Sequence, residues 1–271
     1  MDIYDAIFYR KSIRNFSFKK VKDDLINEIE NVCLETSNEY IKAEVVKRGH
    51  LVELLLGKKC EFKSQHYIIV SSKYDDLIEL GFYAEEIILK LTTLGVATCF
   101  VDFNDELKKT RDSIKESNEA LKNYTQESET DSEEDLYSQD DIYCIAIAFG
   151  YASEEDMFRN KYDKIDRKPL RHICRNMNKE IEDIIEMSRL APSYKNSQPW
   201  ILYRKNNCID FYLEKRSKRH SELYRISVGA FIKHFDIACN KYGKTVKYTK
   251  KGENKKFMKE YLLTAIIDNN S

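Results

Sequence analysis

Apolar positions recur along the chain with two periods. Across 22–35, Leu25, Ile29, Val32 and Cys33 stand at i, i+4, i+7 and i+8, and across 178–190 Ile181, Ile184, Ile185 and Ser188 follow a similar spacing. Both patterns place one apolar stripe on an amphipathic helix. Two longer apolar-rich stretches, 75–95 and 221–241, predict a pair of long helices. Short β-branched and aromatic runs between polar bounds predict strands: HYIIVS at 66–71, WILYR at 200–204 and CIDFYL at 208–213. TCFVDF and TVKYT follow the two long helices, and YCIAIAFG from Tyr143 and YLLTAIID from Tyr261 are closing apolar strands.

These elements occur twice in one order. EIENVC at Glu28 lines up with EIEDII at Glu180, RKSIR at Arg10 with RKPLR at Arg167, and GFYAEEIILKLTTLG at Gly81 with GAFIKHFDIACNKYG at Gly229. The last offset is 229 − 81 = 148, whereas the closing strands are offset by 261 − 143 = 118, so the first half carries an insertion, placed within 106–141. Residues 126–141 hold eight acids and no base, the composition of a solvated loop, with a lid over a pocket as the alternative. The pattern predicts an α+β fold of two similar halves, 1–163 and 164–271, with antiparallel or mixed sheets flanked by helices around a central helix pair. A repeat of this length duplicates a domain and does not build a solenoid.

Composition narrows the function classes. The 271 residues are 42% apolar, enough for a sizeable core, and a net charge of −1 gives no electrostatic footprint for nucleic acid. No apolar run approaches the roughly 18 residues of a membrane span, and MDIYDAIFYRKSIRNF lacks the layout of a signal peptide. Seven widely spaced cysteines without a CxxC pair fit free thiols in a reducing compartment, so the expected location is the cytoplasm. His172 with Cys174, and His220 with His234, make no recognised metal-ligand spacing. The chain also has no GxGxxG or GxxxxGK[ST] run, so no separate nucleotide-binding domain is expected.

Two short stretches carry candidate chemistry. RKSIR at 10–14 gathers three cations and a hydroxyl able to hold a phosphate by charge-assisted hydrogen bonds. APSYKNSQPW at 191–200 follows an amphipathic helix and contains two of the three prolines and the only tryptophan. Pro192 and Pro199 stiffen it, Ser193, Asn196 and Gln198 offer hydroxyl and amide groups, and Trp200 reads as a core residue.

With these two motifs in place, the chain resembles the nitroreductase family of FMN proteins, whose signatures are an N-terminal RxSxR and a later PSxxNxQPW. The likeness runs on through GFYAEEIILKLTTLGVATCFVDF, IAIAFGYASEED and DRKPL and covers nearly the whole sequence. It implies one FMN, NAD(P)H as hydride donor and a small electron-poor acceptor, with no catalytic side chain required because the flavin carries the chemistry. It implies phosphate contacts from Arg10, Lys11, Ser12, Arg14 and Arg167, and a flavin-facing loop of Pro192, Ser193, Tyr194, Asn196 and Gln198. Lys164 and Lys168 are possible neighbours, 101–103 a possible source of backbone contacts, and Arg171 a surface residue.

One departure is informative. In ordinary members, homodimers with flavin between subunits, the second motif follows the first closely. Here LETSNEYIKAE stands at that place, without Pro or Trp, and each motif survives once. The resemblance therefore implies a fused, dimer-like monomer with a single site. The rival readings are a flavin store or sensor without turnover, and another flavin reaction on the same scaffold.

Overall fold

The computed structural model describes residues 1–56, 63–101, 143–154, 157–160, 162–214, 218–250 and 258–269. The acidic insertion, and residues 102–103 after TCFV, lie outside the described residues. In chain order the elements are α1 (Ile3–Tyr9), α2 (Asp23–Thr36), β1 (Ile41–Val46), α3 (Gly49–Leu56), β2 (His66–Ser72), α4 (Leu77–Thr93), β3 (Ala97–Val101) and β4 (Tyr143–Gly150). There follow α5 (Leu170–Ile173), β5 (Cys174–Arg175), α6 (Lys179–Ser188), β6 (Trp200–Lys205), β7 (Cys208–Glu214), α7 (Lys218–Lys241), β8 (Lys244–Thr249) and β9 (Lys259–Asn269).

The repeat seen in the sequence is a repeat of sheet topology. One sheet has the order β1-β2-β4-β3 and is antiparallel throughout. The other has the order β5-β6-β7-β9-β8 and differs by the short β5, which pairs parallel with β6. The predicted insertion falls between the antiparallel neighbours β3 and β4, where extra length is tolerated without changing the ladder. The class is α+β, one sheet antiparallel and one mixed.

Packing divides the chain into two compact units. One contains residues 11–75 and 95–157, with the first sheet; the other contains 1–10, 76–94 and 158–271, with the second. Packing thus cuts differently from the sequence halves, because α4 of the first half is built into the unit of the second sheet.

In the first-sheet unit α2 packs on β1. Its buried face is Ile26, Ile29, Cys33 and Thr36, while Leu25 and Val32 are half-buried, so the stripe is turned by one residue from the predicted one. Two elements here are absent from the predicted set. β1 is IKAEVV, where Lys42 and Glu44, paired at 2.6 Å, alternate with Ile41, Ala43 and Val45 in the period of a half-buried strand, a signal present in the sequence but only six residues long. The short α3 has no cap signal that distinguishes it from a loop.

In the second-sheet unit α6 buries Ile181, Ile184, Ile185 and Ser188 as its spacing predicts. Trp200 is 1% exposed and lies 4.7 Å, centroid to centroid, from Phe231, inside a core that also holds Phe211 and Phe235. The long helices α4 and α7 pack along each other. A Cβ on Gly81 would stand 2.1 Å from the Ile226 carbonyl oxygen, and one on Gly229 would stand 2.0 Å from that of Ile78. Each glycine receives the backbone three residues before the other, a reciprocal contact of the kind a twofold relation creates. Both helices run out at the same offset too: Gly95 has φ 73° and Gly243 φ 66°, the left-handed stop that glycine accepts.

Candidate functional site

The site is built where α1 ends. Asp2 accepts a hydrogen bond from the Asp5 N–H at 2.7 Å and caps the helix, and the N–H of Arg10 closes it on the Ala6 carbonyl at 2.8 Å. Arg10 follows immediately and is 2% exposed. Its Nε stands 3.6 Å from Glu85 Oε1 on α4, and the same oxygen lies 2.8 Å from His234 Nε2 on α7. Glu85 and His234 are both fully buried. A buried charge persists only when paired, so this trio fixes the guanidinium at the helix end.

Two further arginines surround it. The N–H of Arg159 donates to the Tyr9 carbonyl at 3.1 Å, placing its side chain beside the end of α1. Burial pushes the Arg159 pKa down to about 9, reinforced by Arg10 and Arg167 and opposed by Asp163 and Glu85. Arg167 is pushed down to about 10 by burial, then by Arg10 and Arg189. Both groups stay cationic at neutral pH; burial is the main cause of each shift and the neighbouring guanidinia add to it. Arg159 Nη1 is buried and meets no hydrogen-bond partner among the described residues. A crowd of guanidinia with an unsatisfied buried donor is relieved by an anion.

Arg167 has a second task. Its Nε donates to the Arg189 carbonyl, its Nη2 to the carbonyls of Leu190 and Ala191, and its Nη1 to the Asp166 carbonyl and Asn196 Oδ1. All five guanidinium donors therefore meet the protein. They satisfy the carbonyls beyond α6 and tie down the 192–198 loop.

That loop is stiff for reasons visible in its backbone. Lys195, Asn196 and Gln198 have φ of 49°, 54° and 46°, the left-handed region that non-glycine residues enter at a cost. Side chains hold them there. Gln198 N–H donates to Ser193 Oγ at 2.9 Å, Gln198 Oε1 accepts from Lys168 N–H at 2.7 Å, and Asn196 Nδ2 donates to Asp166. The amides of Asn196 and Gln198 are thus engaged by the chain itself, and Lys168 Nζ donates to the Gln198 carbonyl at 3.0 Å. Pro192 is buried, Ser193 and Tyr194 are half-buried, and the Tyr194 N–H donates to Ser227 Oγ of α7 at 3.1 Å. The Tyr194 ring stands edge-on to His220, which stands edge-on to Tyr224.

The structure therefore brings Arg10, Arg167 and the 192–198 loop into one compact unit. The rest of the first motif, Lys11, Ser12 and Arg14, belongs to the other. There Ser12 bridges to Thr98, the Ile13 N–H donates to the Thr98 carbonyl at 3.0 Å, and Arg14 Nη1 reaches the Ser12 carbonyl at 3.4 Å. Sequence reasoning missed Glu85, His234 and Arg159. The first two were findable, as a carboxylate and an imidazole in phase with the apolar stripes Leu77, Leu80, Gly81, Ala84, Ile88 and Phe231, Phe235, Ala238. Arg159 sits in irregular chain and carries no such signal.

Among the described residues there is no group of three or more metal-ligating side chains, and no helix is long and apolar enough to cross a membrane. The six described cysteines are free. The family described as "Putative TM nitroreductase" matches residues 2–126 and again 123–239. A crystal structure of a "putative nitroreductase" from Thermotoga maritima MSB8 superposes with a TM-score of 0.58 at 21% identity, covering 100% of this chain and 95% of that one. A nitroreductase with bound FMN from Bacteroides fragilis gives a TM-score of 0.43 at 17% identity, over 62% of this chain and 98% of its own. A "putative NADH oxidase" from Clostridium acetobutylicum gives 0.43 at 16%, over 65% of this chain and 100% of its own. No curated protein matches the sequence.

Proposed function

The chain belongs to the TM nitroreductase family, and from that premise we propose that it is an FMN-dependent oxidoreductase with one flavin per chain, taking electrons from NAD(P)H for a small electron-poor acceptor. The observation that carries this reading is the buried Arg159 Nη1, which has no hydrogen-bond partner among the described residues and whose guanidinium is electrostatically opposed by Arg10 and Arg167. A phosphate monoester dianion is the group that such a set accommodates: it supplies several acceptor oxygens and opposes three crowded cations at once.

In this reading Arg159 donates hydrogen bonds to the phosphate, Arg10 adds a cation fixed by Glu85, and Arg167 adds charge while holding the loop. The 192–198 loop offers Ser193 and Tyr194 on a backbone already locked, so little entropy is lost when it meets a planar ring. Bound FMN would supply two-electron hydride chemistry, which the side chains of this site do not. The two sequence halves then act as one fused pseudo-dimer, a monomer with a single site, and the free thiols fit a reducing cytoplasm.

The test compares FMN with riboflavin, which lacks the phosphate. Arg159→Ala should weaken FMN about tenfold or more, the loss of a charge-assisted bond, and leave riboflavin affinity unchanged. Equal FMN affinity in wild type and variant would remove the phosphate from this cluster. Anaerobic stopped-flow with NADH and NADPH then reads bleaching of the oxidised flavin band; its absence with both would leave a flavin-binding protein without turnover.

A further inference from the structure

One side chain ties the arginine cluster to the 192–198 loop. Beyond the end of α6 the successive carbonyls of Arg189, Leu190 and Ala191 accept from the Arg167 guanidinium at 2.7, 2.9 and 3.2 Å. Its Nη1 reaches further along the chain, to Asn196 Oδ1 at 3.1 Å. The guanidinium thus spans the root of the loop and a residue held at φ 54°, a backbone that needs outside support. The adjoining residues close the same ring of contacts. Lys168 N–H donates to Gln198 Oε1 at 2.7 Å, and Arg189 Nη1 donates to the Lys168 carbonyl at 3.1 Å. A lysine could not replace this clamp, because a single ammonium lacks the planar fork that meets several acceptors at once.

The clamp also feels the cluster. Arg10 and Arg189 oppose the Arg167 cation, Asp166 and Glu85 favour it, and Arg167 in turn opposes Arg159. An anion seated on Arg159 offsets part of that repulsion and so favours the position from which Arg167 holds the loop. We propose that Arg167 is a positioning residue that couples the two ends of the flavin: phosphate on Arg159 steadies Arg167, and Arg167 steadies the loop against which the ring lies. Arg167 serves the anion without giving it a hydrogen bond, since its five donors are already engaged. Such coupling is reciprocal, each ligand raising affinity for the other by the same factor. Inorganic phosphate and riboflavin, the two pieces of FMN, therefore bind together more tightly than either binds alone.

The inference rests on the phosphate reading of the site, and its test separates the two. The flavin-free full chain is titrated with riboflavin and with FMN, each in inorganic phosphate and in sodium chloride of equal ionic strength. Phosphate should weaken FMN by competition and tighten riboflavin about fivefold or more. Without any flavin, phosphate should also slow amide hydrogen exchange at Asn196, Ser197 and Gln198, whose N–H groups bond within the loop. Arg159→Ala should abolish both effects of phosphate. Arg167→Lys keeps the charge and loses the fork, so phosphate should still compete with FMN while the gain for riboflavin and the slower exchange disappear. Should that variant not fold, Asn196→Gly, which accepts the left-handed backbone and lacks the acceptor, should give the same pattern. Competition with FMN but no change in riboflavin affinity or loop exchange would overturn the coupling and leave the phosphate site standing. A gain for riboflavin that survives in Arg167→Lys would overturn the role of Arg167. Absence of competition between phosphate and FMN would sink the phosphate reading and the inference with it.

Discussion

Glu85 with His234 and Glu86 with Lys233 are mirror images that have grown apart. By the repeat offset Glu85 corresponds to Lys233 and Glu86 to His234, since 233 − 85 = 148 and 234 − 86 = 148. A twofold relation between α4 and α7 therefore exchanges one pair with the other, as it exchanges Gly81 with Gly229. The first pair is sealed and continues into Arg10. The second lets 12% of the lysine and 19% of the glutamate side chain reach the surface and continues into Lys90. The helix contact has stayed symmetric while the chemistry has not: one end is the proposed anion site with a buried carboxylate at its root, and the other is an ordinary ion pair.

The largest effect should come from breaking the sealed pair. Glu85→Ala removes the buried carboxylate shared by Arg10 and His234 and should cost about 3–5 kcal/mol, read as a lower denaturation midpoint. Gly81→Ala and Gly229→Ala drive a Cβ into a backbone carbonyl and should each cost about 1–3 kcal/mol. Nearly equal losses would confirm the reciprocal contact, and a harmless change at either position would break it. Glu86→Gln, the mirrored change, should cost at most about 1 kcal/mol and should carry a pH signature. Burial raises the Glu86 pKa, but Lys233 and Lys90 overcome it and leave the value below the ordinary 4.5. A depressed carboxylate stabilises the fold above its unfolded pKa, so the gap between wild type and Glu86→Gln should be full at neutral pH and close as the pH falls through the lowered Glu86 pKa.

The sequence carried the architecture well where periodicity and repetition coincide. The two long helices, α6 and the hairpin strands around β7 were legible because burial on one face forces a period, and the shared order of the two sheets was legible as a drifting offset. β1 and α3 escaped because each is short: the apolar alternation of Ile41–Val46 and the two turns of Gly49–Leu56 give few periods to recognise. At the site, motif residues Arg10 and Arg167 come together with the loop at 192–198. What motif reading could not supply is the division of labour: whether a given donor faces an absent ligand or a backbone carbonyl depends on where loops cross, as the five engaged donors of Arg167 show. Arg159 enters the cluster through a single backbone bond to Tyr9, a long-range coincidence that leaves no pattern in the chain.

The claim that the duplicated halves have diverged to leave one anion site is tested most directly by stoichiometry. Calorimetric titration of FMN into flavin-free protein, with chain concentration fixed by amino-acid analysis and mass by light scattering, counts the sites. The account predicts one FMN bound per monomeric chain, with that site weakened by Arg159→Ala. Two equivalent sites per chain would contradict it, and so would one FMN shared by two chains.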